Sequence, residues 1–376
     1  MASNPFSYGS PVRAEHFTDR AVEVADIADR MLNGQNVIVL SPRRYGKTSV
    51  LYAAIDRVRA SKGRTGYASL AQCTDRRDVA QELLRAVLAG PLSWAAAKTA
   101  ELGRVLGRLR VRPEVGARPD GSVDVRFSPS VAEQTTTEMI GEILRLLGDA
   151  GSARHPASLV VDEFQKIEEI AGLDGGIFKR LADEITRVSL VFSGSREHVM
   201  RRLTVGAGAP LLGMGEPFTL GPVPREDMVA YVSARCRSGG HPIDAHAAAL
   251  LFDLVDGIPN DVQRLAYTTF SQANGPISEA TVHEGMRRAV LHQSADFTEH
   301  FEALAPTQQR LLRALAREPR SAVYSHEFLA EVGVVNQNSV SHGLRRLAET
   351  ELVIRRGRTW SVGNPFLRAW LREPAA

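Results

Sequence analysis

Residues 36–49 read NVIVLSPRRYGKTS. The run Val37-Ile38-Val39-Leu40 is apolar without interruption, the pattern of a strand buried on both faces. A tight loop follows through Ser41, Pro42, Arg43, Arg44, Tyr45 and Gly46, and a helix is expected from Lys47 to about Ala60. Strand, loop and helix in this order frame a phosphate-binding loop, whose pattern is G-x-x-x-x-G-K-[ST]. Gly46, Lys47 and Thr48 match its end, while Ser41 stands at the first glycine. In such a loop successive backbone N–H groups, here from Ser41 to Ser49, curl round an anion at the positive end of the helix. Gly46 supplies a torsion that a β-carbon would obstruct. Lys47 then reaches the β- and γ-phosphates, and the Thr48 hydroxyl goes to Mg2+.

A phosphate loop needs a carboxylate at the end of a neighbouring buried strand. Residues 158–163, SLVVDE, provide one. Asp162 is expected to hold Mg2+ with Thr48. Glu163 is expected to orient and deprotonate an attacking water, which points to hydrolysis rather than binding alone. A fourth strand, Ser189 to Phe192, runs into Ser193-Gly194-Ser195-Arg196. In P-loop ATPases of this topology a polar group at that strand end feels the γ-phosphate, and Ser195 and Arg196 are the candidates. The expected catalytic set is Glu163, Asp162, Lys47 and Arg196.

Outward from these motifs, strand and helix alternate. A helix is expected from Asp19, with Ala21, Val22, Val24, Ile27, Ala28 and Met31 at helical spacing, stopped by Asn33-Gly34. Residues 66–70 read as a second strand, and 76–90, 93–108, 131–148 and 175–187 as helices. Between 109 and 127, alternating residues flank Asp120-Gly121, which predicts a β-hairpin insertion. The fold class expected is α/β, a P-loop parallel sheet covered by helices, over residues 1–215. From Pro217 the pattern turns to helices only, predicting an α-helical lid over 216–294.

Residues 295–376 read as a winged helix: helices at 298–317, 325–332 and 338–349, then the hairpin LVIRRGRTWSV. In that fold the helix at 338–349 lies in the DNA major groove. Ser339, His342 and Arg345 lie on its polar face, and Arg356 and Arg358 sit at the hairpin tip, where they suit phosphate contacts. Over the same residues Lys plus Arg number eleven and Asp plus Glu nine. That near-neutrality keeps a protein-docking role open beside double-stranded DNA.

At 376 residues the chain has room for two or three domains. A net charge of +3 makes no strong field over this length. No run approaches the roughly 18–20 apolar residues of a membrane span, and MASNPFSYGSPVRAEHF lacks the apolar core of a secretory signal. Cys73 and Cys236 are far apart, outside metal-ligand spacing, and suit a reducing cytoplasm.

The order NPFSYGSPV, FTDRAVEV, VIVLSPRRYGKTSVL, LVVDEFQKI, LVFSGSR, APLLG, GIPNDVQRLA and a C-terminal winged helix resembles the archaeal-type ATPase family. That family belongs with the STAND and AAA+ groups, near the origin-recognition ATPases. The resemblance covers nearly the whole chain and implies ATP, with Mg2+, as the nucleotide. It places Val12 and Arg20 near the adenine and ribose, and Pro259 of Gly257-Ile258-Pro259 in the lid turn that packs near the base. It matches Arg196 to an arginine after the fourth strand. Family members often read P-L-Y-G-R where this chain reads PLLGM, so Met214 takes the place of an arginine that serves a neighbouring subunit. Arg201 and Arg202 are the nearby substitutes.

Three readings stay open on these residues. The first is an ATP-hydrolysing switch that repositions the winged helix for DNA binding or for assembly with itself or another protein. The second is a nucleotide-binding regulator with little turnover, its winged helix a protein-docking module. A kinase is the third, although no acceptor site is visible.

Overall fold

A computed structural model describes residues 4–9, 20–93, 106–107, 109, 114–117, 123–126, 133–152, 154–185 and 188–373. The helix expected over 93–108 and the Asp120-Gly121 turn lie outside them. The chain divides into two compact units, Pro11–Pro222 and Met1–Ser10 with Val223–Ala376.

The first unit is built on a five-stranded parallel sheet: β1 (Val37–Leu40), β2 (Arg64–Ser69), β5 (Ala157–Asp162), β6 (Val188–Gly194) and β7 (Glu216–Thr219). Across the sheet the order is β2-β5-β6-β1-β7. The central strands β1, β5 and β6 are buried at every residue, as their uninterrupted apolar runs require. Successive side chains serve opposite faces. Val37 and Val39 enter a core with α1 (Ala21–Leu32) and α2 (Lys47–Ala60). Ile38 and Leu40 enter the opposite core with α3 (Arg76–Ala89), α4 (Glu133–Ala150), α5 (Gly175–Asp183) and α6 (Glu197–Thr204). An antiparallel hairpin, β3 (Glu114–Ala117) and β4 (Val123–Arg126), is anchored through buried Val125, and Arg126 stays exposed.

Two expectations are corrected here. The strand bearing Asp162 is not the immediate neighbour of the phosphate-loop strand, because β6 lies between them. The sheet also has a fifth strand beyond residue 215. β7 pairs with β1 alone, so Pro217 costs no ladder bond on its open side. The compact unit that holds the sheet runs to Pro222.

The second unit is helical: α7 (Arg225–Ser238), α8 (Ala245–Leu254), α9 (Pro259–Gln272), α10 (Glu279–Leu291), α11 (Ser294–Glu302), α12 (Pro306–Arg317), α13 (His326–Val332) and α14 (Gln337–Glu349). The antiparallel pair β8 (Val353–Arg356) and β9 (Thr359–Val362) follows, then α15 (Pro365–Arg372). The helical stretch expected over 298–317 is divided into two helices, because Pro306 starts a new one at its first position. A single hydrophobic cluster runs from Met228 and Leu251 through Leu311 and Leu344 to Phe366 and Leu367. Arg368 donates both arms to Asp256 at 2.8 Å and to the Leu254 carbonyl, tying α15 to the end of α8. Residues 4–9 belong to this unit. Phe6 is buried beside Tyr231 and Phe270, and Asn4 donates to the Tyr267 carbonyl and to Ser271.

Candidate functional site

Because β1, β5 and β6 are parallel, their C-terminal ends open on one edge of the sheet, where ligands of such sheets bind. Gly46 has φ 82° and Arg44 φ 71°. Left-handed residues alternating with right-handed ones turn successive N–H groups inward, the geometry of an anion nest. A β-carbon at Gly46 would meet nothing within 4 Å, so the glycine is there for torsion rather than space. Helix α2 starts with no capping side chain and no acidic residue in its first turn, leaving its positive end to an incoming anion. Ser41 is fully buried and its hydroxyl donates to the Pro42 carbonyl. Tyr45 and Ser49 are buried, Pro42 is half-buried, and Arg43 is exposed.

Lys47 projects from the first turn of α2 to both carboxylates, 2.6 Å from Asp162 Oδ1 and 2.7 Å from Glu163 Oε1. Thr48 Oγ1 donates to Asp162 Oδ2 at 3.2 Å. The acidic pair and the phosphate loop therefore share one cleft. Burial pushes the Asp162 carboxyl up, but Lys47 and the Ser193 and Tyr67 hydroxyls outweigh it and hold it below the usual carboxylate range. Glu163 has the same balance: burial raises it, while Lys47, Ser195 and Gln165 bring it below its ordinary value.

Glu163 follows β5 in the left-handed region at φ 54°, a conformation that costs a residue with a β-carbon roughly 1–2 kcal/mol. The turn throws its side chain back over the cleft. Ser195 Oγ donates to Glu163 Oε2 at 2.8 Å, so this member of the expected sensor pair meets the site. Arg196 instead pairs with Glu169 at 2.6 Å, in the 3-10 turn Phe164–Glu169. Arg20 is buried, ion-paired with Glu23 and donating to the Gly221 carbonyl. Val12 lies outside the described residues. Pro259 opens α9 in the other unit, after Gly257 at φ 63°.

Three partners of the carboxylates escaped the sequence reading. Tyr67 donates to Asp162 Oδ2 at 2.8 Å from the adjacent strand β2. Burial and the Asp162 charge both push its phenol up. Ser193 donates to Asp162 Oδ1 at 2.6 Å from β6. Its signal was present, since Ser193-Gly194 continues the strand instead of breaking it. Gln165 donates to Glu163 Oε2 at 2.6 Å. Met214 is buried in the sheet's hydrophobic core, Arg202 lies 3.6 Å from Glu168, and Arg201 is exposed.

In the helical unit, Asn336 caps α14 by accepting from the Ser339 N–H. Ser339, His342 and Arg345 are exposed along that helix, as are Arg356 and Arg358 around the hairpin tip. Among the described residues no helix is long and apolar enough to cross a membrane.

Residues 295–373 match the model of a family described as a probable winged helix domain. No curated protein matches the chain. Among solved structures, the Walker-type ATPase Paby2304 of Pyrococcus abyssi is similar over 98% of this chain and 99% of its own, at 16% identity and a TM-score of 0.67. The ORC2 protein of Aeropyrum pernix, solved as ADPNP-ADP complexes, is similar over 99% and 96%, at 15% identity and a TM-score of 0.54. ORC1 of the same organism, solved in complex with DNA, is similar over 97% and 94%, at 16% identity and a TM-score of 0.52. The chain thus has the fold of archaeal origin-recognition proteins and of a Walker-type ATPase: a P-loop parallel sheet, a helical segment and a C-terminal winged helix.

Proposed function

We propose that this chain binds and hydrolyses ATP with Mg2+, and that its nucleotide state controls engagement of the winged helix with double-stranded DNA. The observation that carries the reading is Lys47 bridging Asp162 and Glu163 while Thr48 bonds the same Asp162. The donor set fits the ligands. An uncapped helix start and an inward-turned loop suit a phosphate chain, and a hydroxyl with a hard carboxylate suits magnesium. Thr48 and Asp162 would hold the ion, which draws charge off the phosphate oxygens when bound.

Lys47 bridges the two carboxylates. A phosphate chain in the loop takes over Lys47 and leaves Glu163 Oε1 without its cation. That oxygen then accepts a proton from water, while Ser195 keeps the other oxygen in place. Asp162, held by Ser193 and Tyr67, stays charged and fixed. ATP rather than GTP follows from the family resemblance. DNA as output is supported by the exposed Ser339, His342, Arg345, Arg356 and Arg358.

The test is phosphate release by wild type and Glu163→Gln, with and without duplex DNA. The expected result is a wild-type rate that DNA alters, and a loss of about 10²-fold or more in Glu163→Gln with ATP still bound. A wild type that releases no phosphate under any condition refutes hydrolysis, and DNA that neither binds nor alters the rate refutes the DNA output. One observation favours a second reading, a regulator with little turnover whose winged helix docks protein. Met214 is buried in the core, so the position that carries a trans-acting arginine in the resembling family has none here. An arginine finger contributes roughly 10³-fold or more.

A further inference from the structure

Two residues beyond Glu163, the side chain of Gln165 enters the site from behind. Its Nε2 donates to Glu163 Oε2 at 2.6 Å, the same oxygen that receives Ser195 Oγ at 2.8 Å. Glu163 Oε1 belongs to Lys47. The two oxygens of one carboxylate are thus divided among the described residues: one has two neutral donors from the protein frame, the other the cation that a phosphate would withdraw. We propose that Gln165 is the positioning residue of Glu163, anchoring Oε2 so that Oε1 alone changes partner when nucleotide enters.

Three features set Gln165 apart from an ordinary packed side chain. It is 5% exposed, and its Oε1 has no hydrogen-bond partner among the described residues. A buried acceptor left unpaired is a standing cost that methionine or leucine would avoid, so the amide is kept for its donor. The donor end is also fixed by electrostatics, since turning the amide over would set its oxygen against a carboxylate. Finally, the amide fits because residue 194 is glycine: a β-carbon there would lie 2.2 Å from Gln165 Oε1. The left-handed turn at Glu163 and the 3-10 turn that follows bring side chains 163 and 165 to the same spot.

This inference rests on the hydrolytic reading, and its test separates the two. Gln165→Met keeps the volume and removes the donor; Gln165→Leu removes it with a shorter side chain, and serves if the first does not fold. Crystal structures of the nucleotide-free full chain are expected to keep Glu163 in place in wild type and to show its carboxylate displaced in either variant. In steady-state assays kcat should fall about tenfold or more with the Kd for Mg-ATP unchanged within about twofold. In a Glu163→Gln background, Gln165→Met should cause no further loss, because the two act as one unit. An unmoved Glu163 carboxylate in the variants, or losses that multiply in the double variant, overturns the proposal. A wild type without turnover would sink hydrolysis alone, and the crystal comparison would still decide whether Gln165 holds Glu163.

Discussion

Removing the Lys47 ammonium by Lys47→Ala strips two carboxylates of their shared cation at 2.6 and 2.7 Å. At an effective dielectric near 20, each attraction is worth about 6 kcal/mol, most of it offset by desolvation of the three groups. Breaking a buried pair by removing one partner leaves a net cost of about 3–5 kcal/mol. With a total stability of about 5–15 kcal/mol, that is a large fraction. The variant should therefore lose both ATP binding and much of the stability of the sheet unit. Urea unfolding at pH 7 without nucleotide, followed by far-UV circular dichroism, measures it. Adding Asp162→Asn removes one stranded charge and should restore about 2 kcal/mol or more. The pH dependence gives a second signature. In wild type both carboxyls are held below their usual values, so their stabilisation is complete above about pH 5 and fades as pH falls towards the native values. Without Lys47, burial dominates and the native carboxyls titrate above the unfolded ones, so stability should rise as pH drops from 7 towards about 5. A Lys47→Ala protein within about 0.5 kcal/mol of wild type, with the same pH slope, would refute this account of the cleft.

Three further outcomes are expected. Gly90→Ala should destabilise the sheet unit by about 2 kcal/mol or more in the same unfolding assay, because its β-carbon would lie 2.2 Å from the Thr65 carbonyl oxygen. Arg356→Ala and Arg358→Ala, if the winged helix binds duplex DNA, should weaken binding about equally for all sequences and lower the salt slope by about one each in fluorescence anisotropy. Arg368→Ala leaves Asp256 without its bidentate partner and should cost about 2 kcal/mol or more. Faster hydrogen exchange over residues 254–259 and 365–372 would report it.

The phosphate loop was legible because its chemistry is local: a buried strand, a glycine at a left-handed turn, and a lysine and threonine opening a helix are consecutive residues. Asp162 and Glu163 were legible for the same reason, as the acidic end of an apolar run. Strand order was not, since nothing within Ser189–Phe192 says that it inserts between the two motif strands. β7 was hidden by its own sequence, in which Glu216 and Pro217 read as a break although an edge strand tolerates both. Tyr67 lies in a strand of mixed burial, and only the register of β2 against β5 brings its hydroxyl to Asp162. Arg196 was picked by its place after the fourth strand, yet an ion pair with Glu169 engages it. That pairing is set by a 3-10 turn that leaves no periodic trace.

The burial of Phe6 has a practical corollary. The sheet unit is an interruption of the helical one, which begins before it and resumes after it. A fragment starting at Val223 would thus fold around a hole between Tyr231 and Phe270 where an aromatic ring belongs. Excising the C-terminal portion for binding studies means supplying the first ten residues as well, joined by a linker or added as a peptide, and recovery of native melting on adding that peptide would show the two pieces reassociating.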